Sequence, residues 1–222
     1  MIRSLKKLFR SNYLFTFGVI ICLFWIVMAV IAPLVAPYDP VAQDLAGKLA
    51  APSSEHWFGT ENFGRDIFSR VIYGGRYSLL AGCLTVIIAG CIGTFYGAVA
   101  GYVGGKVDTI MMRISDVCLA FPGLVFALAI AALLNGGLVN AVFALAAISW
   151  PKYARIARSQ TLRLKDSDFL AAAKMSGATT AAQIWRHILP NAMGPILVTA
   201  MLDIGTMMME LAGLSFLGLG AQ

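Results

Sequence analysis

The sequence predicts an all-α integral membrane protein, and three observations carry that prediction: an apolar composition, apolar runs of membrane-crossing length, and one polar island between two of those runs. Hydrophobic residues make up 59% of the 222 residues and charged ones only 13%, against about 25% charged in ordinary soluble domains. Mean hydropathy is +0.79. Five spans are visible, and residues 166–190 between the fourth and fifth read as two short helices.

The first span, 13–36, follows a short N-terminal segment (1–12) that carries Arg3, Lys6, Lys7 and Arg10. Its run of about 20 uncharged residues is enough to cross a hydrocarbon core about 30 Å thick. It is too long for the h-region of a cleaved signal peptide and has no clean small-x-small cleavage site, so it reads as a retained span. Pro33, Pro37 and Pro40 close it. The loop 37–78 then reaches His56-Trp-Phe-Gly-Thr-Glu-Asn-Phe-Gly-Arg-Asp-Ile-Phe-Ser-Arg70. Its glycines, aromatic pair and Gly64-Arg65-Asp66 corner predict an ordered cap, with Gly59, Thr60, Gly64, Arg65 and Asp66 as its key residues.

Residues 79–222 form the core. The second span, 79–103, places Gly93, Gly97 and Gly101 on one face, where a neighbouring helix can approach closely. Gly101-Tyr-Val-Gly-Gly-Lys106 is not a phosphate loop, because Ala100 and Val107 stand where the pattern needs Gly and Ser or Thr. It reads as a tight turn. The third span runs from about Ile110 to Leu134, with Arg113 and Asp116 at its entrance; Asn135-Gly136-Gly137 turns the chain into a fourth, 138–150. The fifth, 192–217, carries Asp203 and Glu210, seven residues apart on nearly one face. Ionisable groups inside a span are costly and face a cavity or a partner, so Asp203, Glu210 and the intervening Met207 are candidates for a translocation path. The alternative for the acids is an interhelical bond. The adjacent Met207, Met208 and Met209 point in different directions and read as packing rather than a soft-metal site. Cys22, Cys83, Cys91 and Cys118 show no paired spacing and read as small buried hydrophobes, with no metal site expected.

The distribution of Lys and Arg sets the orientation. The N-terminal segment has four, segment 151–190 has seven, and loop 37–78 sets four against five acids. This tally places the N-terminus and 151–190 in the cytoplasm and the loop outside. The net charge of +6 reports topology rather than nucleic-acid binding.

In the island, Asp166 or Ser167 is placed to cap a first helix containing Ala171, Ala172 and Ala173; Gly177 suits its left-handed exit. Thr180-Ala-Ala-Gln183 has capping-box spacing, and Ile184–Leu189 reads as a short helix ended by Pro190. A helix-turn-helix held between two spans has little freedom to enter a DNA groove. A docking element for a soluble partner fits the setting, with a plain amphipathic surface helix as the alternative.

Small residues at 171–173, then Gly177, then Ile188-Leu-Pro190 at fixed distance resemble the EAA coupling motif in the inner-membrane permeases of binding-protein-dependent ABC importers. Two further segments resemble one branch, the peptide/nickel permease family: His56–Arg70 is similar to its FGTDxxGRDxxSR pattern, and Leu214–Gly220 to its SFLGLG ending. Tyr102, Gly104-Gly105, Asp108, Met112-Arg113, Asp116 and Phe121-Pro122 fall in the family's order. Two departures stand out. The motif's namesake glutamate is Ala171, as is often so in this branch, and a sixth span that the family carries is missing here, which reads as truncation.

The resemblance implies a bacterial inner-membrane permease subunit working with a second homologous permease, two cytoplasmic ATPases and an extracytoplasmic binding protein. It implies coupling through Ala171, Ala172, Ala173, Gly177, Ala178, Arg186, Leu189 and Pro190. The chain itself is expected to bind no cofactor and catalyse nothing, with ATP and Mg held by the ATPases. Residues 202–216 look closer to nickel than to dipeptide permeases, so a nickel chelate is the favoured cargo and a di- or oligopeptide the alternative. A secondary transporter or channel predicts repeated halves, and none is visible; a membrane enzyme needs clustered ligating residues, yet the two histidines, His56 and His187, are far apart in sequence.

Overall fold

The structure is a computed structural model, and it describes residues 13–220. The basic N-terminal segment 1–12 lies outside the described residues. Apart from one isolated bridge between Thr60 and Asp66, every regular element among them is helical. The chain divides into two compact units, one ending at Leu79 and one beginning at Leu80.

In the first unit, α1 (Tyr13–Val35) is a charge-free helix of 23 residues whose side chains are mostly exposed. The cap loop follows, with a 3-10 turn at Leu45–Gly47 whose first amide bonds the Asp44 carboxylate. Helix α2 (Ile67–Val103) begins a dozen residues earlier than loop 37–78 predicts. Between Asp66 and Leu79 only Arg70 and Arg76 are charged, so nothing interrupts the helix once Asp66 has started it.

The second unit starts within α2 and continues through α3 (Gly105–Leu119), α4 (Gly123–Leu133), α5 (Leu138–Lys165), α6 (Asp168–Met175), α7 (Thr180–Gln183), a π-helical turn (Ile184–Ile188) and α8 (Leu189–Phe216). Gly104, with φ of +71°, makes the tight turn into α3. Asn135, Gly136 and Gly137, all at positive φ, make the turn into α5. Helix α5 is the hub, packed against α3, α4 and α8. The glycine stripe of α2 meets it as well: a Cβ on Gly93 would lie 2.2 Å from the Trp150 carbonyl oxygen, and one on Gly97 2.0 Å from that of Ala154. The backbones therefore touch where only glycine fits.

Four expectations are revised. The third span is not one helix: α3 and α4 meet at 86°, because Pro122 lacks an amide and disfavours helix at Phe121 before it. The fourth is the apolar half of α5, which continues through Lys152, Arg155, Arg158, Arg163 and Lys165. Three helical stretches among the described residues are long and apolar enough to cross a membrane (Thr16–Val35, Ile67–Val103 and Thr180–Phe216), or four if the bent pair is one span, where the sequence alone counts five apolar runs. Cys22 and Cys91 stand exposed on this chain rather than buried.

Candidate functional site

The polar island folds as a two-helix peg. Ser167 is the N-cap residue of α6, but its hydroxyl turns back to the Leu164 carbonyl instead of capping. The far end is a full Schellman closure: Gly177 has φ of +83°, its amide bonds the Lys174 carbonyl, and the Ala178 amide reaches that of Ala173. That satisfies orphan carbonyls and reverses the chain in a few residues. The next N-cap is Thr179, not Thr180, with its hydroxyl accepting from the Ala182 amide at 3.3 Å.

Gln183 therefore does not close a capping box. It is buried, donates to the Ala178 carbonyl at 2.8 Å and accepts from the Tyr102 hydroxyl at 2.6 Å. Leu170, Ile184 and Ile188 are buried with Ala98 of α2 as a small core at the root of the peg. The outward surface is different: Ala171, Ala172, Gly177 and Arg186 are exposed, Ala173 and Ala178 half-buried, and Met175 is 90% exposed.

Pro190 does not end the second helix. The Leu189 amide bonds the Ile184 carbonyl five residues back, a π-type step, and this wider turn accommodates the missing amide of the proline. Leu189 is half-buried and Pro190 exposed in the first turn of α8. The peg's second helix thus runs into α8 as one helical stretch, Thr180–Phe216.

A row of cations at a spacing of three on α5 ties its neighbours together. Lys152 Nζ lies 2.5 Å from Asp203 Oδ1, and the Tyr153 hydroxyl donates to Asp203 Oδ2 at 2.9 Å. Arg155 bonds Asp116 at 2.7 Å, and Arg158 forms a two-pronged pair with Asp108 at 2.5 Å on each arm. Planar, two-point pairs of this kind fix orientation as well as charge. Met207 is buried, its sulfur 3.7 Å from the Ser149 hydroxyl. Glu210 is partly exposed, and its Oε2 is buried without a hydrogen-bond partner.

In the cap loop, Gly59 and Gly64 both adopt positive φ. Thr60 accepts from the Ala50 amide at 2.8 Å and donates to the Gly47 carbonyl. Glu61 is gripped by both Arg65 and Arg70. Asp66 is buried, bonded to the Ser69 amide at 2.7 Å and to His56 Nδ1 at 3.0 Å. The predicted cap residues are thus brought together. Sequence reasoning gave no role to Glu61 and Ser69 here or to Lys152, Arg155 and Arg158 in the second unit, and it did not foresee that Tyr102 and Gln183 pair. The cation row was legible in its spacing; Tyr102 and Gln183 lie 81 residues apart and carry no local signal.

A two-helix peg continuous with a stretch long and apolar enough to cross a membrane, beside helices tied together by buried and half-buried ion pairs, defines a helical membrane protein. Comparison with known proteins gives the family. The binding-protein-dependent transport system inner membrane component matches residues 93–222, and the N-terminal TM domain of oligopeptide transport permease C matches residues 3–52. The dipeptide transport system permease of Alkalihalophilus pseudofirmus is 43% identical over 220 residues, spanning 99% of this chain and 72% of that protein. The oligopeptide transport system permease of Bacillus subtilis is 41% identical over 212 residues (96% and 70%), and the glutathione transport system permease of Shigella dysenteriae 42% over 215 (96% and 71%). The chain belongs to this family: it is a multi-pass permease subunit of an ABC importer of the inner membrane. The relatives are named for dipeptides, oligopeptides and glutathione, so the preference for nickel finds no support and is withdrawn.

Proposed function

We propose that this chain is the transmembrane permease of an ATP-driven importer of short peptides, and that residues 166–190 receive the motion of partner ATPases on the cytoplasmic side. ATP and Mg belong to those two partners, a second homologous permease completes the pathway, and an extracytoplasmic binding protein delivers cargo on the side of the cap loop. The N-terminus lies in the cytoplasm. The cargo class rests on what the relatives transport by name; the coupling role rests on the single helical run Thr180–Phe216. A push on the peg around Ala171, Ala172 and Gly177 passes through the hydrogen-bonded Schellman turn into α7 and on along the same helical run, which suits rigid-body alternating access.

Gly177→Leu tests this. A Cβ there meets nothing within 4 Å, so the change strains only the left-handed backbone, by about 1–2 kcal/mol. The expected result is retained membrane insertion with loss of co-purifying ATPase or of peptide uptake, and partial rescue by Gly177→Asn, which tolerates that conformation. Wild-type uptake by the Leu variant would refute the coupling role.

A further inference from the structure

The two acids of α8 differ in how they are satisfied. Asp203 has both oxygens engaged, one by Lys152 and one by Tyr153. Glu210, two helical turns further on, has an oxygen sealed from solvent with no partner, while the residue as a whole stays partly exposed. The Lys152 ammonium is already committed to Asp203 at 2.5 Å. Buried polar atoms are almost always paired, and each exception needs a cause. An ionisable group left unpaired within a span is retained for a ligand, a proton or a partner.

We propose that Glu210 receives the free α-ammonium of a peptide during its passage, and that Asp203 is a brace locking α8 to α5. This rests on the peptide-importer reading above. An unblocked peptide carries at its N-terminus a cation with three N–H donors, which fits a carboxylate that has acceptor capacity and no donor. A charge-assisted bond formed only while cargo is in transit stabilises the peptide midway and releases it when the helices move. Asp203 is buried and already holds Lys152 and Tyr153, one on each oxygen, so a peptide ammonium would have to compete with a fixed pair there.

The experiment uses the complete importer in proteoliposomes with saturating binding protein. Uptake of Ala-Ala and of N-acetyl-Ala-Ala, which lacks the ammonium, is compared for wild type, Glu210→Gln and Glu210→Asp. The expected result is a loss of about tenfold or more in Ala-Ala uptake for the Gln variant. N-acetyl-Ala-Ala is expected to move at whatever rate wild type gives, and the Asp variant to keep most Ala-Ala uptake. Wild-type Ala-Ala uptake by the Gln variant overturns the proposal, because a neutral group would then suffice. An equal fall for both peptides overturns it too, as does loss of the co-purifying second permease, which would make Glu210 a subunit brace. Failure of the peptide-importer reading itself shows separately, as absence of Ala-Ala uptake in wild type.

Discussion

The cap loop and the coupling peg both turn on glycines at positive φ, and they use them for different ends. In the cap, a Cβ on Gly64 would lie 1.6 Å from the Asp44 carbonyl oxygen and one on Gly59 2.4 Å from that of Ala50. Each is required twice, for its backbone angle and for the space. On the peg, Gly177 has the same kind of angle with nothing within 4 Å of its added Cβ. The cap is closed on itself by backbone contact and by the Glu61 and Asp66 pairs, whereas the peg buries its root and leaves its tip open. The cap fills the space around its glycines, and the peg leaves the space beside Gly177 free.

Gly64→Ala should break the contrast most severely. It adds a left-handed strain of about 1–3 kcal/mol to an overlap with backbone that no side-chain rotation relieves. The cap should open, and trypsin should cut at Lys48 and Arg65 faster than in wild type while α1 and α2 stay inserted. Unchanged cleavage would mean that the loop is not closed through Gly64.

Tyr102→Phe is expected to act on the peg more mildly. It removes the donor to Gln183 Oε1 and strands a buried acceptor, at about 1–3 kcal/mol. Amide exchange over 178–188 should quicken and uptake should fall. Adding Gln183→Leu removes the stranded acceptor but also the donor to the Ala178 carbonyl, so it should restore only part of the lost protection. A double variant worse than the single would show that Gln183 holds the peg through Ala178 alone.

What sequence revealed divides along the same line. The exits at Gly177 and at Asn135–Gly137, the apolar runs and the cap residues were legible, because turn chemistry and hydropathy are local. The glycine stripe announced a close helix without saying which, and the answer, α5 at Trp150 and Ala154, is a tertiary fact. Pro122 breaks a span and Pro190 does not, although both are prolines after apolar residues. The difference lies in the π turn before Pro190, whose Ile184 and Ile188 are buried beside Ala98. Asp203 and Glu210 look alike in sequence, and only Lys152 and Tyr153, some 50 residues away, separate a brace from an open acceptor.

The gentlest expected effect is that of acid on the cap. Burial alone would push the Asp66 carboxyl up, but hydrogen bonds from Ser69, and then from His56, outweigh it and hold the group below its ordinary value of 3.8. The cap therefore gains stability from ionised Asp66 that is complete above pH 3.8 and is lost as pH falls through the lower value of the folded state. Exchange at the Ser69 amide, corrected for the intrinsic effect of pH, should lose protection across that window. Asp66→Asn should be less protected at neutral pH and show no further loss on acidification. The peg, whose buried ties are the neutral Tyr102 and Gln183, should hold its protection over the same range. Parallel loss in both regions would mean that acid acts on the bundle as a whole and that the cap is not closed by its own carboxylate.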